Sequence, residues 1–488
     1  MRSLIETLAF AGSPEQLAAA VHDTRGVMLL RSLEPSGSAA TTVPESTPCR
    51  YSFLTARPFL TFRSFGSRCE IRAGKGDAFQ VQFGNPWHLL DSLMARCELL
   101  EEADLPFPLG GCFGYWGYDL KNFVEPRLPR RAASDMELPD AHVGFYDSLV
   151  VFDHSLGTTW VISTGMGDDG ARGEARAREQ LEFWKERARN CSPNIARTAG
   201  DDRATTWNSH STRDEFLSGV ARAQAYIRAG DIYQVNLSHR VCVPWRNNGW
   251  ELFLRLGAVS PAPFAAYLDC DDFVIASSSP EQFLRVSGSH IRTRPIKGTR
   301  PRADDPTRDA QLGYELQTSP KERSELVMIT DLLRNDLGRV CEYGTVMVPD
   351  LMRLERYAHV QHLVSTVEGR LRSDVTHFAA FASCFPGGSI TGAPKIRAME
   401  IIDELEPLAR GPYTGALGYL GFNRETQLSI VIRTAVCKGG NAYFNVGAGI
   451  VADSSPEAEY EETLAKAAGF FQAVGQGACA AHPLLNPG

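Results

Sequence analysis

The sequence predicts an α+β fold with large, mostly antiparallel sheets and helices packed outside them, and three observations predict it. From Val27 to Asp153 short runs rich in β-branched and aromatic residues (VMLL, RYSFL, FLTF, FQVQF, GFYDSLVVF) alternate with Gly, Pro and Ser, the pattern of strands joined by turns. From Arg213 onward helices and strands mix without the regular strand-helix-strand rhythm of a parallel sheet. A hydrophobic share of 43% with 22% charged residues sits near globular averages, so most of the 488 residues fold.

Taken in order, ARGEARAREQLEFWKERAR reads as a helix inside a Gly-, Asp-, Arg- and Ser-rich stretch, and EFLSGVARAQAYIRAG as an amphipathic helix closed by Gly230. IYQVNLSHRVCV, FAAYL, FVIASS, LSIVIRTAV and AYFNVG read as strands. SPKERSELVMITDLLRNDLG, APKIRAMEIIDELEP and SPEAEYEETLAKAAGFFQAVG read as helices. At roughly 150 residues per domain the length suits about three units. These are a mainly β region at 1–165, a linker with a helix at 166–212, a mixed body at 213–475 and a tail at 476–488.

The charge balance, 50 Lys and Arg against 58 Asp and Glu for a net −8, argues against nucleic acid or an acidic membrane surface as partner. No stretch approaches the ~20 apolar residues that cross a bilayer, and Glu6 interrupts the start, so no export signal is read and a cytoplasmic setting is expected. The 11 cysteines are odd in number, scattered and never in C-x-x-C spacing, which weighs against zinc and against a disulfide frame.

Four constellations carry chemistry. After Ser454, Ser455 and Pro456, residues Glu459, Glu462 and Lys466 recur at i, i+3 and i+7, on one helical face; Gly447, Ala448 and Gly449 just before them suit close approach of backbone to a ligand. A plain solvated face is the competing reading. Ser319, Pro320, Lys321 and Glu322 spell a capping box, which gives Glu322 a structural task. Glu325, beside Leu326 and Ile329, has none, and a carboxylate there needs a partner; with Glu459 and Glu462 it has the hard-oxygen chemistry of a magnesium site. FPGGSITGAPK presents free backbone N–H groups at a helix start and can cradle an anion, or is simply a start capped by Thr391. In RTRPIKGTRPR, Lys297 stands among arginines, where its charged form is disfavoured, or is part of a basic surface loop. Arg433, interrupting an apolar strand, pairs with a protein carboxylate or waits for one on a ligand. His362 is a general acid, a hydrogen-bonded core residue or neither.

Together DIYQVNLSHR, SSSPEQFL, PIKGTRPR, ERSELVMITDLLRNDLGRV, FPGGSITGAPK and VGAGIVADSSPEAEYEETLAKA, in this order from about Arg213 to Val474, resemble the chorismate-utilising enzymes. The resemblance implies the fold of that family, a two-lobed β-sandwich core with helices outside. It implies that Glu325, Glu459 and Glu462 hold Mg²⁺ and that Lys466 with Gly447, Ala448 and Gly449 holds the ring carboxylate of chorismate. It places Tyr419 and Arg433 on the enolpyruvyl carboxylate, Ser389, Thr391 and Gly392 in the substrate loop, and His362 facing the ring.

Where the anthranilate and isochorismate branches typically carry Ala, this chain has Lys297 in PIKGT, the pattern of the aminodeoxychorismate branch; SPAPFAAYL also looks closer to that branch. The resemblance then implies amination of chorismate through a covalent Lys297 intermediate, with Glu281 as general acid, in the making of p-aminobenzoate and folate. Anthranilate or isochorismate formation is the alternative. No cysteine sits in a G-x-C-x-G elbow, so ammonia is expected from a separate glutamine amidotransferase subunit, in a heterodimer. Some family members hold tryptophan in the N-terminal sheet near text like LLRS, which makes Val27 to Ser32 a candidate site for it.

Overall fold

The computed structural model describes residues 2–32, 50–74, 76, 78–99, 105–192, 207–356 and 360–475. The predicted tail at 476–488 and part of the predicted linker lie outside the described residues. The described chain forms two 12-stranded sheets in which every pair of named strands is antiparallel. Both sheets join strands from the two ends of the chain: Met28–Arg31 pairs with Phe264–Asp269 in the first, and Gly111–Trp116 pairs with Ala416–Gly421 in the second. The region at 1–165 and the body at 213–475 thus share both sheets.

The sheets face each other across one apolar core in which Phe53, Leu149 and Ile275 of the first meet Phe62, Phe113, Phe145 and Leu417 of the second. Strand periodicity of two explains the layering. In Ser148–Asp153, Leu149 and Val151 point into this core while Val150 and Phe152 point outward. The outward face packs against Trp184, Phe253 and Phe470 on helices Glu174–Arg189, Gly249–Val259 and Pro456–Ala473. Helices Arg213–Arg228 and Lys395–Leu405 cover Val235, Leu237, Ala448 and Ile450 on the same sheet.

Two sequence runs that read as single strands are divided between the sheets, and a third changes sheet where it ends. GFYDSLVVF splits at Asp147, and LSIVIRTAV splits into Glu425–Ile430 of the second sheet and Thr434–Lys438 of the first. FVIASS ends at Ser279, and after Pro280 and Glu281 the chain continues as Gln282–Ser287 in the other sheet. Arg433 therefore sits in a crossing and not within a strand, at φ 53, a left-handed conformation rare for a residue with a side chain. The cysteines among the described residues are free thiols. No described helix is long and apolar enough to cross a membrane.

Candidate active site

Two of those crossings lie side by side. The backbone N–H of Ile430 donates to the Glu281 carbonyl at 3.1 Å, and that of Ser278 donates to the Arg433 carbonyl at 3.1 Å. Where the sheets part there, a cavity of about 750 Å³ opens, lined among others by Asn236, Glu281, Lys297, Glu325, His362, Ser389, Tyr413, Arg433, Gly447, Gly449, Glu462 and Lys466. Its floor is set by strand alternation. Val235, Leu237, Ala448 and Ile450 face the covering helices, so Asn236 and its cross-strand partner Gly449, with Gly447 next to Ser238, face the cavity. A Cβ on Gly447 would come within 2.8 Å of the Leu237 carbonyl and 2.9 Å of the Tyr413 hydroxyl, so that position requires glycine, while one on Gly449 would displace the Gln234 amide, 2.4 Å away.

Lys297 is aimed by a bulge. In strand Ile296–Pro301 it pairs with Leu363, while Thr299 pairs with His362, which leaves Gly298 as an extra residue at φ +67. The Lys297 Nζ lies 3.6 Å from Glu325. Three of the four neighbouring arginines are paired, Arg294 with Glu355, Arg300 with Glu322 and Arg302 with Asp309, while the Arg292 Nε is buried without a hydrogen-bond partner among the described residues. The sequence reading of Lys297 as a lysine among bare cations is thereby replaced: its close partner is a carboxylate.

Glu281 is buried, and desolvation pushes its carboxyl up to about 7, with the Ser389 hydroxyl and the Lys297 charge pulling the other way. Such a group holds a proton near neutral pH and can deliver it. The Arg433 guanidinium forms no hydrogen bond or ion pair among the described residues, and burial lowers its pKa against a smaller contribution from Tyr413. The guanidinium pairs with no protein carboxylate among the described residues, and Arg433 lines the cavity. The His362 Nδ1 lies 3.0 Å from the Thr299 hydroxyl and 3.3 Å from the Gly298 carbonyl. Burial lowers its pKa and Arg433 adds to this, against the Gly298 hydrogen bond, so the ring is neutral near pH 7.

The acidic residues each have a lysine. Lys466 donates to Glu462 at 2.7 Å and to the Gly447 carbonyl at 2.8 Å. Desolvation is the largest influence on both: it lowers Lys466 outright, while Lys466, Lys321 and Lys297 more than offset it at Glu462 and hold that carboxyl low. Glu459 accepts from the Ser454 hydroxyl at 2.6 Å and lies 3.6 Å from Lys321. Burial raises the Glu325 pKa despite Lys297 and Lys321. Among the described residues no three His, Cys, Asp or Glu side chains converge as a formed metal site. The donor set is nonetheless all hard carboxylate oxygen and surrounds the Lys321 ammonium, which senses Glu459, Glu325 and Glu462 together. Its chemistry fits a divalent ion such as Mg²⁺.

Several expected residues lie elsewhere. Tyr419 is buried between the sheets, stacked on Phe113 and edge-on to Phe53. It points inward because its strand Ala416–Gly421 lies deep in the second sheet. Tyr413, in the turn GPYTG just before that strand, occupies the cavity instead, and burial pushes its hydroxyl up to about 12. Thr391 does not cap helix Lys395–Leu405, which starts after Pro394; it closes the 3-10 turn Gly388–Ile390, and its hydroxyl donates to the Gly387 and Gly388 carbonyls. Gly392 packs against the Gln234 carbonyl, and Ala448 faces the helices. The capping box at Ser319 is half formed: Ser319 accepts from the Glu322 N–H, while the Glu322 carboxylate lies 3.8 Å from Arg300. Near the predicted tryptophan segment, Leu30, Arg31 and Ser32 border a void of about 20 Å³ with Tyr51, Phe264 and Tyr419, room for about one water.

Missed in the sequence were Tyr413, Asn236, Lys321 and Arg410. Arg410 is almost fully buried, donates twice to Glu406 and also reaches the carbonyls of Ile390 and Asn236 and the Thr414 hydroxyl, while Glu406 accepts from the Ser238 N–H and hydroxyl. This network fixes three segments that line the cavity.

Comparison with known proteins agrees with this geometry. Residues 50–472 match the family model described as chorismate binding enzyme. Anthranilate synthase component 1 of Acetivibrio thermocellus is 39% identical over 431 residues, 87% of each chain. Aminodeoxychorismate synthase component 1 of Klebsiella aerogenes is 40% identical over 419 residues, 86% of this chain and 88% of that one. The crystal structure of anthranilate synthase component I from Streptococcus pneumoniae TIGR4 superposes with a TM-score of 0.75 at 31% identity, covering 89% of this chain and 95% of that one.

Proposed function

The chain belongs to the chorismate binding enzyme family, and on that premise we propose that it is an aminodeoxychorismate synthase component I, converting chorismate and ammonia to 4-amino-4-deoxychorismate. The observation that carries the choice of reaction is Lys297, delivered into the cavity by the Gly298 bulge beside Glu325 and within electrostatic reach of Glu281. The relatives divide between two reactions, and the lysine is what supports this reading over the other.

In this mechanism the dianionic substrate is clamped at both carboxylates, one by unpaired Arg433 with Tyr413 and the other by Lys466 and the Gly447 to Gly449 backbone. The Lys297 amine attacks C2, both ring double bonds shift, and the C4–O bond breaks as Glu281 gives its proton to the departing hydroxyl, which leaves as water. Ammonia then attacks C4, both double bonds shift back and the C2–N bond to Lys297 breaks. The Glu281 carboxylate takes a proton from the new ammonium and is reset. The enolpyruvyl group stays on the ring. Mg²⁺, which Glu325, Glu459 and Glu462 would hold, supplies charge neutralisation for the substrate carboxylate. His362, neutral, orients the Gly298 bulge through its Nδ1.

The ammonia would come from a second, amidotransferase subunit; that the relatives are named component 1 supports this. Tryptophan between Leu30 to Ser32 and Tyr419 stays part of the proposal and requires the small void there to widen. The test is mass spectrometry of the product formed from chorismate, Mg²⁺ and ammonium salt, for wild type beside Lys297→Ala. Aminodeoxychorismate from wild type, sharply reduced in the variant, is expected. Anthranilate or isochorismate from wild type would overturn the reading.

A further inference from the structure

The reaction above leaves one of the three cavity lysines without a task. Lys297 is the nucleophile and Lys466 holds the Gly447 carbonyl, but Lys321, also on the cavity wall, donates to no backbone carbonyl among the described residues. Its placement is also unfavourable locally. It is the second residue of helix Pro320–Gly338, where the positive end of the helix dipole disfavours a cation. What compensates is the acidic face opposite: Nζ lies 3.6 Å from the buried Glu459 carboxylate, and Glu325, Glu462 and Asp453 add their fields. The lysines then match the carboxylates one to one, Lys297 with Glu325, Lys466 with Glu462 and Lys321 with Glu459. Of these only the Lys321 side chain is as much as 44% exposed, so it can withdraw into solvent with little rearrangement.

We propose that Lys321 is a tethered counter-cation of the acidic cluster, holding Glu459, Glu325 and Glu462 together when no divalent ion is bound and giving way when one binds, so that it sets the protein's affinity for Mg²⁺. This inference rests on the reading of those three glutamates as the metal ligands, but not on which product the enzyme makes. A divalent ion must displace one ammonium, and like charges in one partly desolvated cluster repel strongly. Removing the ammonium therefore tightens metal binding, and by linkage the metal weakens the lysine's hold on the same carboxylates.

The test is calorimetric titration of the purified full-length chain with MgCl₂ at low ionic strength, without chorismate, for wild type, Lys321→Met and Lys321→Arg. Lys321→Met is expected to bind Mg²⁺ on the order of tenfold more tightly, and Lys321→Arg to stay within about twofold of wild type. In parallel, thermal unfolding should show a larger Mg²⁺-induced rise for Lys321→Met than for wild type, because a tighter ligand stabilises the native state more. Unchanged or weaker binding by Lys321→Met, or no binding by either protein, would overturn the proposal. Product analysis stands apart from this titration, so a wrong product with tightened binding would sink the reaction and leave Lys321 its role.

Discussion

Replacing Glu281 by Gln separates the cost of keeping an acid in this cavity from its use. Burial moves the carboxyl from its ordinary 4.5 to about 7, which at about 1.4 kcal/mol per pH unit is a penalty of about 3 kcal/mol on the ionised form in the folded state. Because the folded pKa lies above the unfolded one, the wild-type chain has its full stability below about pH 4.5 and loses that increment as pH rises through about 7. A glutamine pays no such penalty at any pH. Urea unfolding of the two proteins between pH 5 and 8.5 should therefore show their difference moving by up to about 3 kcal/mol in favour of Glu281→Gln as pH rises. The same variant should lose most ammonia-dependent turnover throughout, since the 4-hydroxyl then has no acid to leave with. A stability difference that is flat with pH would refute the buried, proton-holding carboxyl. Retained turnover would refute its role.

Arg433→Met should raise the chorismate KM roughly ten- to hundredfold, the loss of a charge-assisted contact of about 1.5–3 kcal/mol. Its melting temperature should hold or rise, because no described residue pairs with that guanidinium; a fall of several degrees with unchanged KM would make Arg433 structural. Arg410→Met, by contrast, leaves Glu406 buried and unpaired and should cost about 3–5 kcal/mol in urea unfolding. A loss below about 1 kcal/mol would show that the Arg410 network does not hold the cavity walls.

Much of the site was legible because its residues carry local signals. The i, i+3, i+7 face of Glu459, Glu462 and Lys466 and the glycines at 447 and 449 follow from helix and strand periods, and Glu462, Lys466 and both glycines line the cavity. The sheet crossings were not legible, because alternation of apolar residues is the same whichever sheet a strand joins, and Asp147, Glu281 and Arg433 sit where the chain changes partner. Tyr419, named from the family resemblance, lies between the sheets while Tyr413 lines the cavity; depth in the sheet is a tertiary property that the local sequence does not show. The pairings of Lys297 with Glu325 and of Lys321 with Glu459 join three separate segments and have no trace in any one of them, whereas Glu462 with Lys466 is an i,i+4 pair within one helix.

The interleaving of both ends of the chain in both sheets bears on how the molecule is made. Met28–Arg31 hydrogen-bonds to Phe264–Asp269, more than two hundred residues downstream, so at about 5–20 residues per second the early strand waits on the ribosome for tens of seconds without its neighbour. During that time it presents an open, apolar edge, the template on which chains aggregate. Folding is governed by long-range pairing and is correspondingly slow. A cut anywhere between the two ends would leave each fragment with two unfinished sheets, so co-expressed halves should recover activity only if they find each other before their bare edges find copies of themselves.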